Sequence, residues 1–141
     1  MKYLFYTLAQ CVWGMPQTLI GLILRLKYRH CPGEWYRGVY VTWHDAAWGG
    51  VSLGLFIFSK DKLPEPRRRE LMIHEYGHTW QSLFLGPLYL FAVGLPSYIW
   101  ANSKRFRRMR RERGIRYTSR YPENWASRLG ERFAREKADW S

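Results

Sequence analysis

Two histidines four residues apart, His74 and His78, with a glutamate directly after the first, Glu75, are the side chains of this sequence best suited to do chemistry. On a helix, positions i and i+4 lie one above the other on the same face, so the two imidazoles can close on one metal ion. Glu75 then points about 100° round the helix, beside the ion rather than onto it, where a carboxylate can take a proton from water activated by the metal. The arrangement is H-E-x-x-H, and its chemistry is zinc-assisted hydrolysis. The surrounding residues suit a helix. Residues 67–85 contain no proline and one glycine, carry apolar side chains at Leu71, Met72, Ile73, Tyr76, Trp80, Leu83 and Phe84, and stop at Gly86-Pro87. That pattern predicts one helix with a glycine C-cap. Gly77 costs about 1 kcal/mol relative to alanine in mid-helix, which predicts a close backbone neighbour, expected to be a strand.

A catalytic zinc takes three protein ligands and leaves one position for water, so a third donor must come from elsewhere. His30 precedes a turn remote in sequence, Glu112 sits among arginines, Glu131 and Glu136 fall in a charged helix end, and Asp139 is terminal. Glu123 stands out, flanked by Tyr121, Pro122 and Trp125 at the start of a helix expected over residues 122–138. It is the expected third ligand. The alternative is a carboxylate placed there only because the helix macrodipole favours it. Tyr117 or Tyr121 could donate a hydrogen bond to an oxyanion, and nothing in the sequence chooses between them.

The elements that hold these residues show as changes of composition along 141 residues, the size of one domain, with 47% hydrophobic and 18% aromatic residues to build a core. The formal charge of +12 calls for an anionic partner, either an acidic lipid surface or nucleic acid. Cys11 and Cys31 are the only cysteines, so neither a disulfide framework nor a cysteine zinc site is indicated, and both are expected as free thiols. The first residues imitate a signal peptide, and Leu8-Ala9-Gln10-Cys11 imitates a lipoprotein cleavage box. Glutamine before the cysteine fits that box poorly, and the apolar run continues past it, so the segment is expected to be retained.

Residues 3–24 carry no charge and form an apolar helix long enough to cross a hydrocarbon core of about 30 Å. Gly14-Met15-Pro16 should kink or end it. Gln10, Gln17, Thr7 and Thr18 lower its hydropathy, so a buried helix of a soluble domain is the alternative. Residues 35–58 turn to β-branched and aromatic types, with Val39-Tyr40-Val41-Thr42-Trp43 and the run from Val51 to Phe58 expected to pair as an antiparallel hairpin. His44 and Asp45 are expected in its solvated loop, and the free edge of the hairpin would line a peptide by strand addition. A second charge-free run, residues 79–103, is interrupted at Gly86-Pro87 and at Gly94-Leu95-Pro96, leaving an apolar segment over residues 87–103. Residues 104–120 then hold nine Lys/Arg, with Glu112 alone opposing. Lys104, Arg105, Arg107, Arg108, Arg110 and Arg111 are the dense part, expected as a collar on anionic headgroups. No aromatic ladder alternates with these charges, so nucleic acid is the weaker reading.

His74-Glu75-Tyr76-Gly77-His78 resembles the zincin metallopeptidase motif. Glu123-Asn124-Trp125-Ala126-Ser127 is similar to the gluzincin pattern, in which a ligand glutamate is followed four residues on by an aspartate that hydrogen-bonds a ligand histidine; here Ser127 stands in its place. His74 to Ser82, with Leu85-Gly86-Pro87-Leu88-Tyr89-Leu90 and Gly94-Leu95-Pro96-Ser97, also resembles a group of small bacterial proteins. The resemblance implies peptide hydrolysis, with zinc on His74, His78 and Glu123 and with Glu75 as general base. The expected fold is α+β: one helical, membrane-associated, zincin-like domain with a β-hairpin beside the motif helix. A non-enzymatic basic membrane protein with a structural or vestigial metal site is the alternative.

Full crossing by both apolar runs would put residues 25–69 and 104–120, with nine Lys/Arg each, on opposite sides, against the positive-inside rule. A monotopic or re-entrant placement is expected instead, with Lys2 and both basic stretches on the cytoplasmic face of a bacterial inner membrane and the zinc at the bilayer surface.

Overall fold

The stretch from Gly14 to Pro16 ends a helix, as its proline requires. In the computed structural model, which describes residues 3–46 and 49–134, α1 (Leu4–Val12) and α2 (Gln17–Lys27) meet at a bend of 100°. No single helix among the described residues is long and apolar enough to cross a membrane. The calls on Lys2, Glu136 and Asp139, and on the end of the last helix beyond Ala134, lie outside the described residues.

Four strands follow, β1 (Gly33–Tyr36), β2 (Val39–His44), β3 (Val51–Leu53) and β4 (Phe56–Lys60), in the sheet order β1-β2-β4-β3. β1 and β2 are antiparallel about Arg37-Gly38, where both φ angles are positive, 45° and 89°, as a tight hairpin turn requires. The expected hairpin between residues 39–43 and 51–58 does not form. Gly54, at φ +62°, reverses the chain inside the apolar run, so β3 and β4 make their own antiparallel hairpin, and β4 lies parallel to β2 with Tyr40 opposite Phe56. His44 is also corrected: it is the fully buried last residue of β2, not part of a solvated loop. Its Nε2–H donates to the Gly49 carbonyl at 2.6 Å, while its Nδ1 accepts from the Ala46 N–H at 3.2 Å.

The motif helix, α3 (Arg67–Leu85), ends at Gly86 with φ 57°, as its C-cap glycine predicts. α3 packs on β3 and β4 and against α6 (Glu123–Ala134). The core joins Val39, Val41, Trp43 and Ile57 of the sheet to Met72, Ile73 and Tyr76 of α3. Gly77 does have a close backbone neighbour, but that neighbour is α6 rather than a strand. A Cβ on Gly77 would run into the carbonyl oxygen of Ala126, and one on Gly130 would run into that of Ile73. Between α3 and α6 the chain forms short 3-10 and π turns (Gly86–Leu88, Leu90–Gly94), α4 (Leu95–Asn102), α5 (Lys104–Arg113) and a 3-10 turn (Tyr117–Ser119).

The α1–α2 pair turns its polar residues inward. Tyr6, Gln10, Gln17 and Thr18 are buried, whereas Phe5 (84%), Val12 (80%), Ile23 (61%) and Leu26 (61%) are exposed. The Tyr6 hydroxyl bonds to Thr79, and Gln10 Nε2 donates to the Thr79 carbonyl at 2.6 Å. Gln17 Nε2 donates to Ser82 Oγ and to the Gly86 carbonyl, both at 2.8 Å. These bonds fasten α1 and α2 to the outer face of the motif helix.

Candidate metal centre

The pair of glycines at the crossing of α3 and α6 lets the two backbones touch, and that contact brings Glu123, the first residue of α6, over His74 and His78. All three side chains are buried. His74 Nε2 lies 2.7 Å and His78 Nε2 3.0 Å from the same oxygen, Glu123 Oε2.

The far nitrogens are also occupied. His74 Nδ1 is 2.8 Å from Ser127 Oγ, and His78 Nδ1 is 2.6 Å from Gln81 Oε1. Gln81 Nε2 donates to the Pro122 carbonyl at 3.1 Å, which fixes the amide with its oxygen toward His78. His78 Nδ1–H therefore donates to Gln81 Oε1, and Nε2 is left to point at Glu123, donating to it when the imidazole is protonated and free to take a metal ion when it is not. The second oxygen of Glu123 accepts a hydrogen bond from Ser97 Oγ.

Burial opposes ionisation of Glu123, but the charge of His78 and hydrogen bonds from His74 and His78 outweigh it and hold the carboxyl well below the usual range. Burial likewise opposes protonation of His78, and the Glu123 carboxylate overcomes it, raising the imidazole to about 9. Glu75 differs: burial pushes its carboxyl up, against the pull of His78 and His74. The backbone at Gly50 closes over Glu75, since a Cβ there would lie 2.8 Å from Oε1.

The structure brings together His74, Glu75, His78, Glu123 and Tyr117 of the residues expected at the site. The Tyr117 ring centroid is 6.3 Å from that of His74, and its hydroxyl bonds with Ser97 and Glu123. Trp100 Nε1 holds the Tyr117 carbonyl at 2.8 Å, and the Arg110 guanidinium lies 5.3 Å over its ring. Tyr121 is elsewhere, exposed, with its hydroxyl on the Ala92 carbonyl at 2.5 Å. Glu112 is exposed on α5, 3.3 Å from Arg108. His30 lies in a separate group with Cys31 and Asp45, where His30 and Asp45 are exposed. Along α5, Lys104, Arg105, Arg107, Arg108 and Arg111 are exposed, whereas Arg110 turns inward over Trp100 at 4.6 Å.

The donor set fits zinc. Two imidazole nitrogens and a carboxylate oxygen lie within 4.8 Å of one another, buried, each ligand oriented by an outer hydrogen bond. Gln81 and Ser97 had no assigned role in the sequence reading. Gln81 follows His78 by three residues on one helix face, a spacing that could have flagged it. Ser97 comes from another element, with no local signal. Protein-family models, curated proteins and solved structures give no match to this chain.

Proposed function

We propose that the chain is a small zinc metallopeptidase working at a membrane surface, the class its motif resembles. The observation that carries the proposal is the convergence of His74 Nε2 and His78 Nε2 on Glu123 Oε2, with both Nδ1 atoms turned to fixed partners. His74, His78 and Glu123 would hold the ion, which when bound supplies Lewis-acid polarisation of a carbonyl and lowers the pKa of water. Glu75 accepts the proton of the attacking water and returns it to the leaving amine, so the C–N bond breaks as a C–O bond forms. Its raised carboxyl pKa suits both halves of that transfer. Burial first, then the carboxylates of Glu123 and Glu75, keep Tyr117 protonated, so it is the better placed of the two tyrosines to donate to an oxyanion. β3 ends the sheet and lines the cleft above the centre, which suits an extended peptide substrate.

The membrane part rests on α1 and α2, which bury glutamine and expose leucine, isoleucine and phenylalanine. Water penalises such a surface, whereas lipid accommodates it. The exposed cations of α5 provide the complementary contact for anionic headgroups. Replacing Glu75 by Gln tests the mechanism. Zinc should be retained and hydrolysis of a mixed peptide library should fall by about two orders of magnitude or more; unchanged turnover contradicts it.

A further inference from the structure

The centre lies in a cleft of about 1120 Å³, and the cleft's walls indicate what enters. Leu24 of α2, Leu53 of β3, and Leu90, Leu95 and Tyr98 of the opposite segment line it; among the described residues, and apart from the centre itself, only Lys27 and Lys60 bring charge. A water-facing mouth is normally rimmed by polar residues. Here the elements that form the two walls also carry exposed apolar residues: Ile23 and Leu26 on α2, Phe91 in the turn before α4 and Ile99 on α4.

The interior is not purely apolar. Ser52, on the edge strand β3, lines the cleft, and its hydroxyl is buried without a hydrogen-bond partner among the described residues. An unpaired buried hydroxyl costs about 1–3 kcal/mol. The carbonyl of Ser52 already accepts from the Tyr89 hydroxyl at 3.1 Å, so the side-chain hydroxyl is the group left for a ligand. A polypeptide supplies amides that can pair with it, and an acyl chain supplies none.

We propose that the cleft opens sideways toward lipid and that its ligand is an uncharged, apolar stretch of polypeptide, entering between α2 and α4 with Ser52 pairing to its backbone. That this ligand is also cut rests on the metallopeptidase reading; that it binds does not.

The test uses the full chain, zinc-loaded and carrying Glu75→Gln so that binding is read without turnover, in phosphatidylcholine–phosphatidylglycerol vesicles. Three fluorescent probes are compared: a twelve-residue Leu/Ala peptide, a Ser/Gln peptide of equal length, and a fatty acid. The apolar peptide should bind at least tenfold more tightly than the polar one. Leu95→Glu and Leu24→Glu, read on protein that keeps its zinc and its melting temperature, should each weaken it about tenfold. Ser52→Ala should weaken the peptide about fivefold, the scale of one hydrogen bond, and leave the fatty acid unchanged. Equal binding of the polar peptide, or no effect of either glutamate variant, overturns the proposal. So does a fatty acid that displaces the apolar peptide while Ser52→Ala affects neither. Wild-type protein reads the other question: an apolar peptide bound beside zinc but left uncut removes the peptidase and keeps the ligand class. Zinc-dependent cutting of polar peptides in preference keeps the peptidase and removes the ligand class.

Discussion

At the scale of single residues, the centre depends on what orients the imidazoles. Ser127 takes the position of the carboxylate in the gluzincin pattern and meets His74 Nδ1 at 2.8 Å with a neutral hydroxyl. Such outer partners are typically worth about 10–100-fold in metal affinity, so Ser127→Ala and Gln81→Ala are each expected to weaken zinc by that factor, read by chelator competition. Glu123→Ala should weaken it further, while Glu112→Ala should leave it unchanged; the reverse order would move the third ligand to α5. The same groups set a pH dependence. In protein stripped of metal, His78 has its pKa raised from 6.5 to about 9. The stability it contributes is full below 6.5 and is lost as pH rises toward 9. Glu123, depressed, contributes in the opposite sense, from its ordinary 4.5 upward, and loses that contribution as pH falls. Stripped protein should therefore melt lower at pH 9 than at pH 6.5, and zinc-loaded protein, whose ligand histidines cannot protonate, should lack that decline. Zinc binding at pH 7 should also release at least one proton, measurable by calorimetry in two buffers of different ionisation enthalpy.

At the scale of elements, the crossing of α3 and α6 decides whether a site exists. Alanine at Gly77 improves helix propensity by about 1 kcal/mol but places a methyl group against the Ala126 carbonyl. Overpacking of this kind costs about 1–3 kcal/mol. Gly77→Ala should therefore lower the melting temperature and push Glu123 off the histidines, with zinc lost before the helix content changes in circular dichroism. Alanine at Gly94, where the nearest atoms would lie at 3.6 Å and beyond, should do neither. The limits of the sequence reading follow from these same elements. His74, Glu75 and His78 are legible because one helix sets their spacing, and the end of α3 is legible from Gly86-Pro87. The need for a close neighbour at Gly77 could be read, but a glycine does not say whether a strand or a helix comes near. The parallel pairing of β2 with β4 was hidden because it depends on the reversal at Gly54, inside a run whose apolar residues look continuous. Ser97 reaches Glu123 from α4, a long-range contact that no local pattern encodes.

At the scale of the whole molecule, the proposed placement at a membrane rests on the exposed apolar residues of α1 and α2 and the cations of α5. The bend of 100° between α1 and α2 divides the apolar stretch into two helices, neither long enough to cross a bilayer by itself. Gln10 and Gln17, which lower the hydropathy of this stretch, are spent inward on Thr79, Ser82 and Gly86. The expected placement puts Lys27, Lys62 and Arg108 on one side of the membrane. Single cysteines at these positions, in a chain lacking Cys11 and Cys31, should therefore respond alike to an impermeant thiol reagent in intact cells, all three labelled or none. Labelling of Lys27 or Lys62 without Arg108 would mean that the chain crosses. Extraction into the soluble fraction without detergent would remove lipid from the account. The central claim is that a helix from the middle of the chain and one near its end meet to bind a single ion. It is tested most directly by metal content after purification without added metal, compared between wild type and His78→Ala. About one zinc per chain in the wild type and none in the variant is the predicted result, and no zinc in either, or equal zinc in both, would contradict it.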